Sequence, residues 1–208
     1  RGINLDHGSD FATTVNGVPV NMPTHAHGQG YSDVNFLMPE LVQRMHFSKG
    51  PYFAEQGDFS SAGSAHVVYR TRLDESLADL SWGGFGYQRA LNASSRQVGE
   101  DLHLLGAVEV LNHNGPWTVA QGLRKRNVLF TFSGGTSARG WSTSLSDHSA
   151  HWRATDPVPQ RLLDAGRYQG QAFGRFDSRD ASDGARTSRT SLSGQWHDRD
   201  AHQTTLVS

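Results

Sequence analysis

Lys49-Gly50-Pro51-Tyr52-Phe53-Ala54-Glu55-Gln56-Gly57-Asp58-Phe59-Ser60-Ser61-Ala62-Gly63-Ser64 reads as a compact turn set between two strands, and the rest of the chain is placed by it. Gly50 frees the backbone and Pro51 fixes φ, so the segment turns a defined corner. Before it, residues 43–48 set polar Arg44, His46 and Ser48 against apolar Met45 and Phe47, the period of a half-buried strand. After it, residues 66–73 alternate again, with Val67, Tyr69, Thr71 and Leu73 on one side and Val68, Arg70 and Arg72 on the other.

Toward the N-terminus, residues 11–15 form a short β-branched run and Val18-Pro19-Val20 returns from it. Between them Asn16-Gly17 marks a tight hairpin, because both residues accept φ > 0. Pro19 confines the returning strand to an edge. Residues 21–31, rich in Gly, His and Pro, read as a loop. Residues 33–41 place Val34, Phe36, Leu37 and Leu41 at roughly helical spacing, with Pro39 breaking the run or opening a turn at its first position. The N-terminal part is therefore expected to be a small mixed α/β unit.

Arg1-Gly2-Ile3-Asn4, Val15-Asn16-Gly17-Val18-Pro19-Val20, Pro39-Glu40-Leu41-Val42-Gln43-Arg44, Lys49-Gly50-Pro51, Gly57 and Gly63-Ser64 stand in the order found in the plug domain of TonB-dependent outer-membrane receptors, and the chain resembles that family. Departures occur at Asn16, where Asp is common, and at Gln43 and His46, where acids are common. The resemblance implies a mainly β fold: a plug over residues 1–73, then antiparallel strands of an incomplete transmembrane β-barrel over residues 74–208. It implies TonB-coupled uptake of a scarce solute, such as a ferric siderophore, cobalamin or a carbohydrate, across the outer membrane of a Gram-negative bacterium. The partners expected are TonB, through a coupling segment upstream of Arg1, the solute and outer-membrane lipid. It further implies that plug cations pair with barrel glutamates, and Arg1, Arg44 and Lys49 are the matching residues.

Composition limits the alternatives. The 208-residue chain has a formal net charge of -1, so there is no electrostatic case for nucleic acid. Cysteine is absent, which excludes disulfides and thiolate metal sites. No run is long and apolar enough for a membrane-spanning helix, a criterion that does not apply to barrel strands. The chain opens at Arg1 without a charged and then apolar leader, so for an exported protein a fragment or a processed chain is expected.

Beyond residue 73 strand and turn repeat. Ala78, Leu80 and Trp82 oppose Asp79 and Ser81; Leu102, Leu104, Gly106, Val108 and Val110 oppose His103 and Glu109; Val128, Phe130 and Phe132 oppose Lys125, Asn127, Thr131 and Ser133. Residues 87–95 and 186–196 match less well, since Arg89 interrupts one face of the first and the second has only Leu192 and Trp196 as large apolar residues. Such faces suit strands with lipid outside and a lumen inside, but a soluble secreted all-β ligand-binding module with one wet face would show the same alternation. The two differ in whether Leu104, Val108, Val110, Val128, Phe130 and Phe132 stay uncovered or are buried under a second sheet. The long segment 154–185 and the tryptophans near strand ends favour the barrel, with its long outer loops and interfacial aromatics.

No nucleophile, base and oxyanion donors assemble into a catalytic set, and no cofactor motif is present. Asp6-His7, Asp147-His148 and His197-Asp198 are sequence neighbours that point to opposite faces of a strand. His25 and His27 form an H-x-H pair that would suit a metal hydrolase only with a carboxylate such as Asp33 beside it, and no metal site is assigned. Instead His25, His27, Gln29 and Tyr31, on a loop held by a rigid scaffold, are the expected solute-contacting residues at the plug apex.

Overall fold

The computed structural model describes residues 9–25, 28–136, 138–153, 158–199 and 204–207. Arg1 and His27 lie outside the described residues, as does the Arg1-Gly2-Ile3-Asn4 motif. The chain is mostly β, in two main sheets.

The first sheet has the order β2-β1-β4-β3, with β1 Phe11–Val15, β2 Val18–Pro19, β3 Val42–Lys49 and β4 Gly63–Tyr69. Asn16 (φ 49°) and Gly17 (φ 80°) make the expected tight turn between β1 and β2. The central strand β4 runs parallel to β1 and antiparallel to β3. The Lys49–Ser64 stretch closes on itself through Gly50 N–H donating to the Ala62 carbonyl at 2.8 Å, and contains a single 3-10 turn, Ala54–Gln56. The helical spacing of 33–41 resolves into one 3-10 turn, Pro39–Leu41, with Pro39 opening it.

The expectation of a half-buried β3 is corrected. Met45 and Phe47 are 62% and 54% exposed. They share a face with Val67 and Ala65 of β4 through the strand register, but the layer that covers this face ends over β4. The edge strand β3 is left outside it.

The second sheet is a meander of seven antiparallel strands: β5 Leu77–Trp82, β6 Gln88–Gly99, β7 Leu102–His113, β8 Leu123–Gly135, β9 Arg139–Arg153, β12 Gly184–Arg199 and β13 Thr204–Val207. Between β9 and β12 the long connection carries helix α1 Gln160–Ala165 and the hairpin β10 Arg167–Tyr168 and β11 Gln171–Ala172. Connections are longer at one end of the sheet, where residues 83–87, 114–122 and 154–183 lie. At the other end the turns are short: residues 100–101 join β6 to β7, with Asp101 at φ 54°, and residues 136–138 join β8 to β9.

Apolar side chains stand on both faces of β7 and β8, and only one face is covered. Leu91, Ala93, Leu105, Ala107 and Leu129 form a single buried cluster with Val15, Val20, Phe36, Met38, Leu41, Val67 and Tyr69 of the first unit. On the opposite face Leu104, Val108, Val110, Phe130 and Phe132 are exposed, and Val128 is half-buried between them. A sandwich would have covered that band. Trp141 and Trp196 pair across β9 and β12 on the same outer face, close to the short-turn end.

Candidate functional site: the seat of the plug on the strand wall

The 3-10 turn Pro39–Leu41 is anchored by buried Met38 and Leu41 on either side, and this presents Glu40 to the inner face of the wall. Arg89 of β6 holds the Glu40 carboxylate through Nη1 at 2.8 Å and Nη2 at 3.1 Å. Its Nε donates to Glu109 Oε1 of β7 at 2.7 Å, and its Nη1 lies 3.5 Å from Asp79 of β5. One guanidinium thus joins a carboxylate of the plug to a carboxylate of the wall, in the geometry for which its planar fork is suited.

Glu109 is 1% exposed and its charge is compensated on both sides. Lys125 Nζ lies 3.0 Å from Glu109 Oε2 and also reaches the backbone oxygen of Asn35 in the plug. The register sets Leu91, Glu109, Asn127, His148 and Arg189 in one row across β6, β7, β8, β9 and β12. Along that row Asn127 Nδ2 donates to Glu109 Oε2 at 2.6 Å, which turns its oxygen toward His148 Nδ1, also at 2.6 Å. The amide oxygen only accepts, so the network assigns the His148 hydrogen to Nδ1. The row ends at Arg189, whose Nη2 donates to the Pro19 carbonyl at 2.6 Å and whose guanidinium lies 5.0 Å above the Phe36 ring. Thr187 adds a hydrogen bond to Asp33 at 3.4 Å.

Burial pushes the Glu40 carboxyl up, but the hydrogen bonds and charge of Arg89 outweigh it and hold the group below the ordinary carboxylate value. Tyr69 of β4 lies under the same turn: its hydroxyl accepts the Met38 N–H at 2.9 Å, and burial pushes it up to about 12.

The residues anticipated as solute contacts are partly brought together. The loop 21–31 is closed by Met22 N–H to the Tyr31 carbonyl at 2.9 Å, and the His25 and Tyr31 rings stack at 4.3 Å with 10° between their planes. Gln29 is exposed on the same loop. Burial, and then the charge of Asp33, push the Tyr31 hydroxyl above its ordinary value. Among the described residues no group of three or more His, Asp or Glu is placed to hold a metal.

Arg44 and Lys49 stand exposed on β3, and among the described residues neither forms an ion pair. The ion pair that does join the two units has its acid, Glu40, on the first unit and its cation, Arg89, on the wall. Sequence reading marked Arg89 as an interruption and Glu109 as an inward acid without joining them. Glu40 stands in the Pro39–Arg44 motif without a signal for its role, and His148 shows in the sequence only as the neighbour of Asp147, with no hydrophobic period to mark its strand.

No protein-family profile matches the chain. Solved structures share its fold. The siderophore receptor PiuA from Acinetobacter baumannii superposes with TM-score 0.68 at 13% identity, over 96% of this chain and 28% of the receptor. The ferric-catecholate import receptor Fiu from E. coli K12 gives 0.69 at 13%, over 96% and 31%. FpvA from P. aeruginosa, solved with heterologous pyoverdines, gives 0.63 at 12%, over 92% and 26%. The chain therefore spans about a third or less of each receptor's length. At these identities the likeness is one of fold: a small mixed unit seated on a wall of antiparallel strands, as in those receptors.

Proposed function

We propose that this chain is part of an outer-membrane receptor that imports a ferric siderophore under TonB control, with residues 1–73 as plug and residues 74–208 as the first barrel strands. One observation carries the reading: the wall exposes Leu104, Val108, Val110, Phe130 and Phe132 on one face while the plug fills the other. Lipid is the environment in which such a band is stable, because backbone groups are paired between strands and only apolar side chains face out. The soluble all-β module would need a second sheet over that band, and among the described residues none lies there. No helix of the described residues is long and apolar enough to cross a membrane, which says nothing of strands.

In this reading solute arrives at the end with the longer loops and meets the 21–31 loop, where His25 and Tyr31 stack, with His27 and Gln29 as further contacts. The siderophore class is favoured over cobalamin or a carbohydrate because the similar solved receptors carry siderophore names. The Glu40–Arg89–Glu109 bridge holds the plug at rest, and Arg1, Arg44 and Lys49 are left for partners elsewhere in the barrel. No residue is given a catalytic role.

The test is uptake of radiolabelled ferric catecholate by iron-starved cells that carry the complete receptor and none of their own, with and without TonB. TonB-dependent accumulation above the empty-vector level is expected. Accumulation equal to the vector, or unchanged without TonB, refutes the reading. Within an active receptor, a His25→Ala/His27→Ala variant with parental affinity would remove both histidines from the solute site.

A further inference from the structure

The two faces of the first sheet differ in what they meet. Val67 and Tyr69 of β4 belong to the cluster shared with the wall, so alternation turns His66 to the opposite face. The register sets His66 directly opposite His46 of the edge strand β3 and beside Thr14 of β1. The two imidazoles lie with centres 6.4 Å apart and planes 24° from parallel, and the next pair along the strands is Ser48 opposite Ser64. Neither the Glu40–Arg89–Glu109 bridge nor the His25–Tyr31 stack uses these side chains.

Thr14 Oγ1 and His66 Nδ1 share a hydrogen bond of 2.8 Å, which fixes the His66 ring from a neighbouring strand. The other ring nitrogen, Nε2, is 3.4 Å from the buried Ser64 hydroxyl, and His46 Nε2 is 3.4 Å from the Ser48 hydroxyl. Contacts that long are weak, so a stronger partner displaces them easily. His66 is half-buried and held, while His46 is exposed and can turn. With the Nδ1 hydrogen donated to Thr14, the lone pair of His66 sits on Nε2. A ligating histidine is arranged in this way, one ring nitrogen oriented by a partner outside the metal shell and the other presented to the ion.

Directly opposite positions on antiparallel strands have Cβ atoms about 4.5–5.5 Å apart, close enough for two imidazoles to share one ion. An ion about 2.0–2.1 Å from each nitrogen holds the ring centres roughly 5–6 Å apart, and a small turn of His46 closes the difference. Imidazole selects divalent first-row transition ions, copper(II) ahead of nickel and zinc, and the chain has no cysteine to compete for them. Arg44, two positions before His46 on the same face, is exposed and long enough to swing clear of a cation. We propose that His46 and His66 form a two-histidine site for a divalent transition ion, oriented by Thr14 and completed by solvent, which ties the edge strand β3 to the central strand β4. Two protein ligands make it an open, exchangeable site rather than a closed structural one.

The experiment titrates copper(II) into the full-length protein in neutral detergent, and reads the electron paramagnetic resonance spectrum together with the denaturation midpoint of the plug. The parent should show two imidazole nitrogens on one ion. Bound copper should raise the midpoint, because an ion that binds only the folded sheet stabilises it. His46→Gln, at an exposed side chain, should leave one nitrogen, weaken binding at least about tenfold and abolish the rise, since loss of an outer-sphere partner alone costs about 10–100-fold. Thr14→Val should weaken binding about tenfold with the two-nitrogen signature kept, and Thr14→Ser should restore it. His151→Gln, on β9, should change nothing. A two-nitrogen spectrum that persists in His46→Gln, or a midpoint that copper raises equally in parent and variant, places the ion elsewhere among the 11 histidines and overturns the proposal. So does a parent with no two-nitrogen species at saturating copper. Thr14→Val binding equal to the parent's removes Thr14 as the orienting residue. None of these readouts depends on uptake, so they stand or fall separately from the receptor reading.

Discussion

Replacing Glu40 by Gln removes the carboxylate that Arg89 holds at 2.8 and 3.1 Å while keeping the shape of the turn. Arg89 retains Glu109 at 2.7 Å, so it is not left without a counter-charge. The side chains of the pair are 12% and 31% exposed, between the surface and the buried cases. Exposed pairs contribute about 0.2–1 kcal/mol and loss of one partner from a buried pair costs about 3–5, so we expect about 1–2 kcal/mol of plug–wall coupling here. That is about a 5- to 30-fold rise in the displaced-plug population. Glu109→Gln should be worse, at about 3–5 kcal/mol, because it leaves Arg89 and Lys125 facing each other over a neutral group in a buried place. The assay is protease cleavage of the plug in the complete receptor in bilayers, with reclosing fast relative to cleavage so that the rate follows the open population. A Glu40→Gln, Arg89→Gln cycle isolates the pair. Coupling below about 0.3 kcal/mol, within the additivity error of such cycles, would refute the lock, as would a Glu109→Gln variant milder than Glu40→Gln. The pH sign follows from the lowered Glu40 value. Its stabilisation is complete above the ordinary 4.5 and is lost only as pH falls through the lower folded value, so protection should persist at pH 5.

Tyr69 predicts the opposite limb: its folded value of about 12 lies above the ordinary 10.0, so its contribution is full below pH 10 and is lost as pH rises toward 12, by about 2–3 kcal/mol. An alkaline plug-release curve that is identical in Tyr69→Phe would remove Tyr69 as its cause. Val108→Arg, on the exposed outer face, should cost about 2–4 kcal/mol in folding into vesicles if it faces mid-bilayer, and unchanged folding would place Val108 elsewhere. At Gly63 an added Cβ would collide with the Ser48 carbonyl oxygen, so Gly63→Ala should prise β3 from β4 and lower the denaturation midpoint of the plug. A midpoint equal to the parent's would show that the β3 edge relaxes freely.

What the residues determined by themselves was local and periodic. Asn16-Gly17 fixed a hairpin because both central residues must take φ > 0, and Pro39 opened a turn because its own φ is already helical. The alternation in 102–111 and 125–133 grouped in advance which side chains of β7 and β8 share a face, because the pleat sends neighbours to opposite faces whatever the sheet is packed against. The order of short motifs over residues 1–65 pointed to the plug-and-barrel fold that the solved structures share. Only the tertiary structure decided what lay against each face. Arg89, read as a flaw in β6, became the bridge because register set it beside Glu109 and packing of Met38 and Leu41 delivered Glu40 to it. Met45 and Phe47 alternate as well as any buried pair, yet stay exposed because cover depends on where a layer ends. Strand β9 escaped notice because its inner positions are Ser142, Ser144 and Ser146, which carry no hydrophobic period. Its neighbours β8 and β12 supply the backbone hydrogen bonds that make it a strand. Period is a property of the chain; register and cover belong to distant segments meeting, and a linear reading holds no term for either.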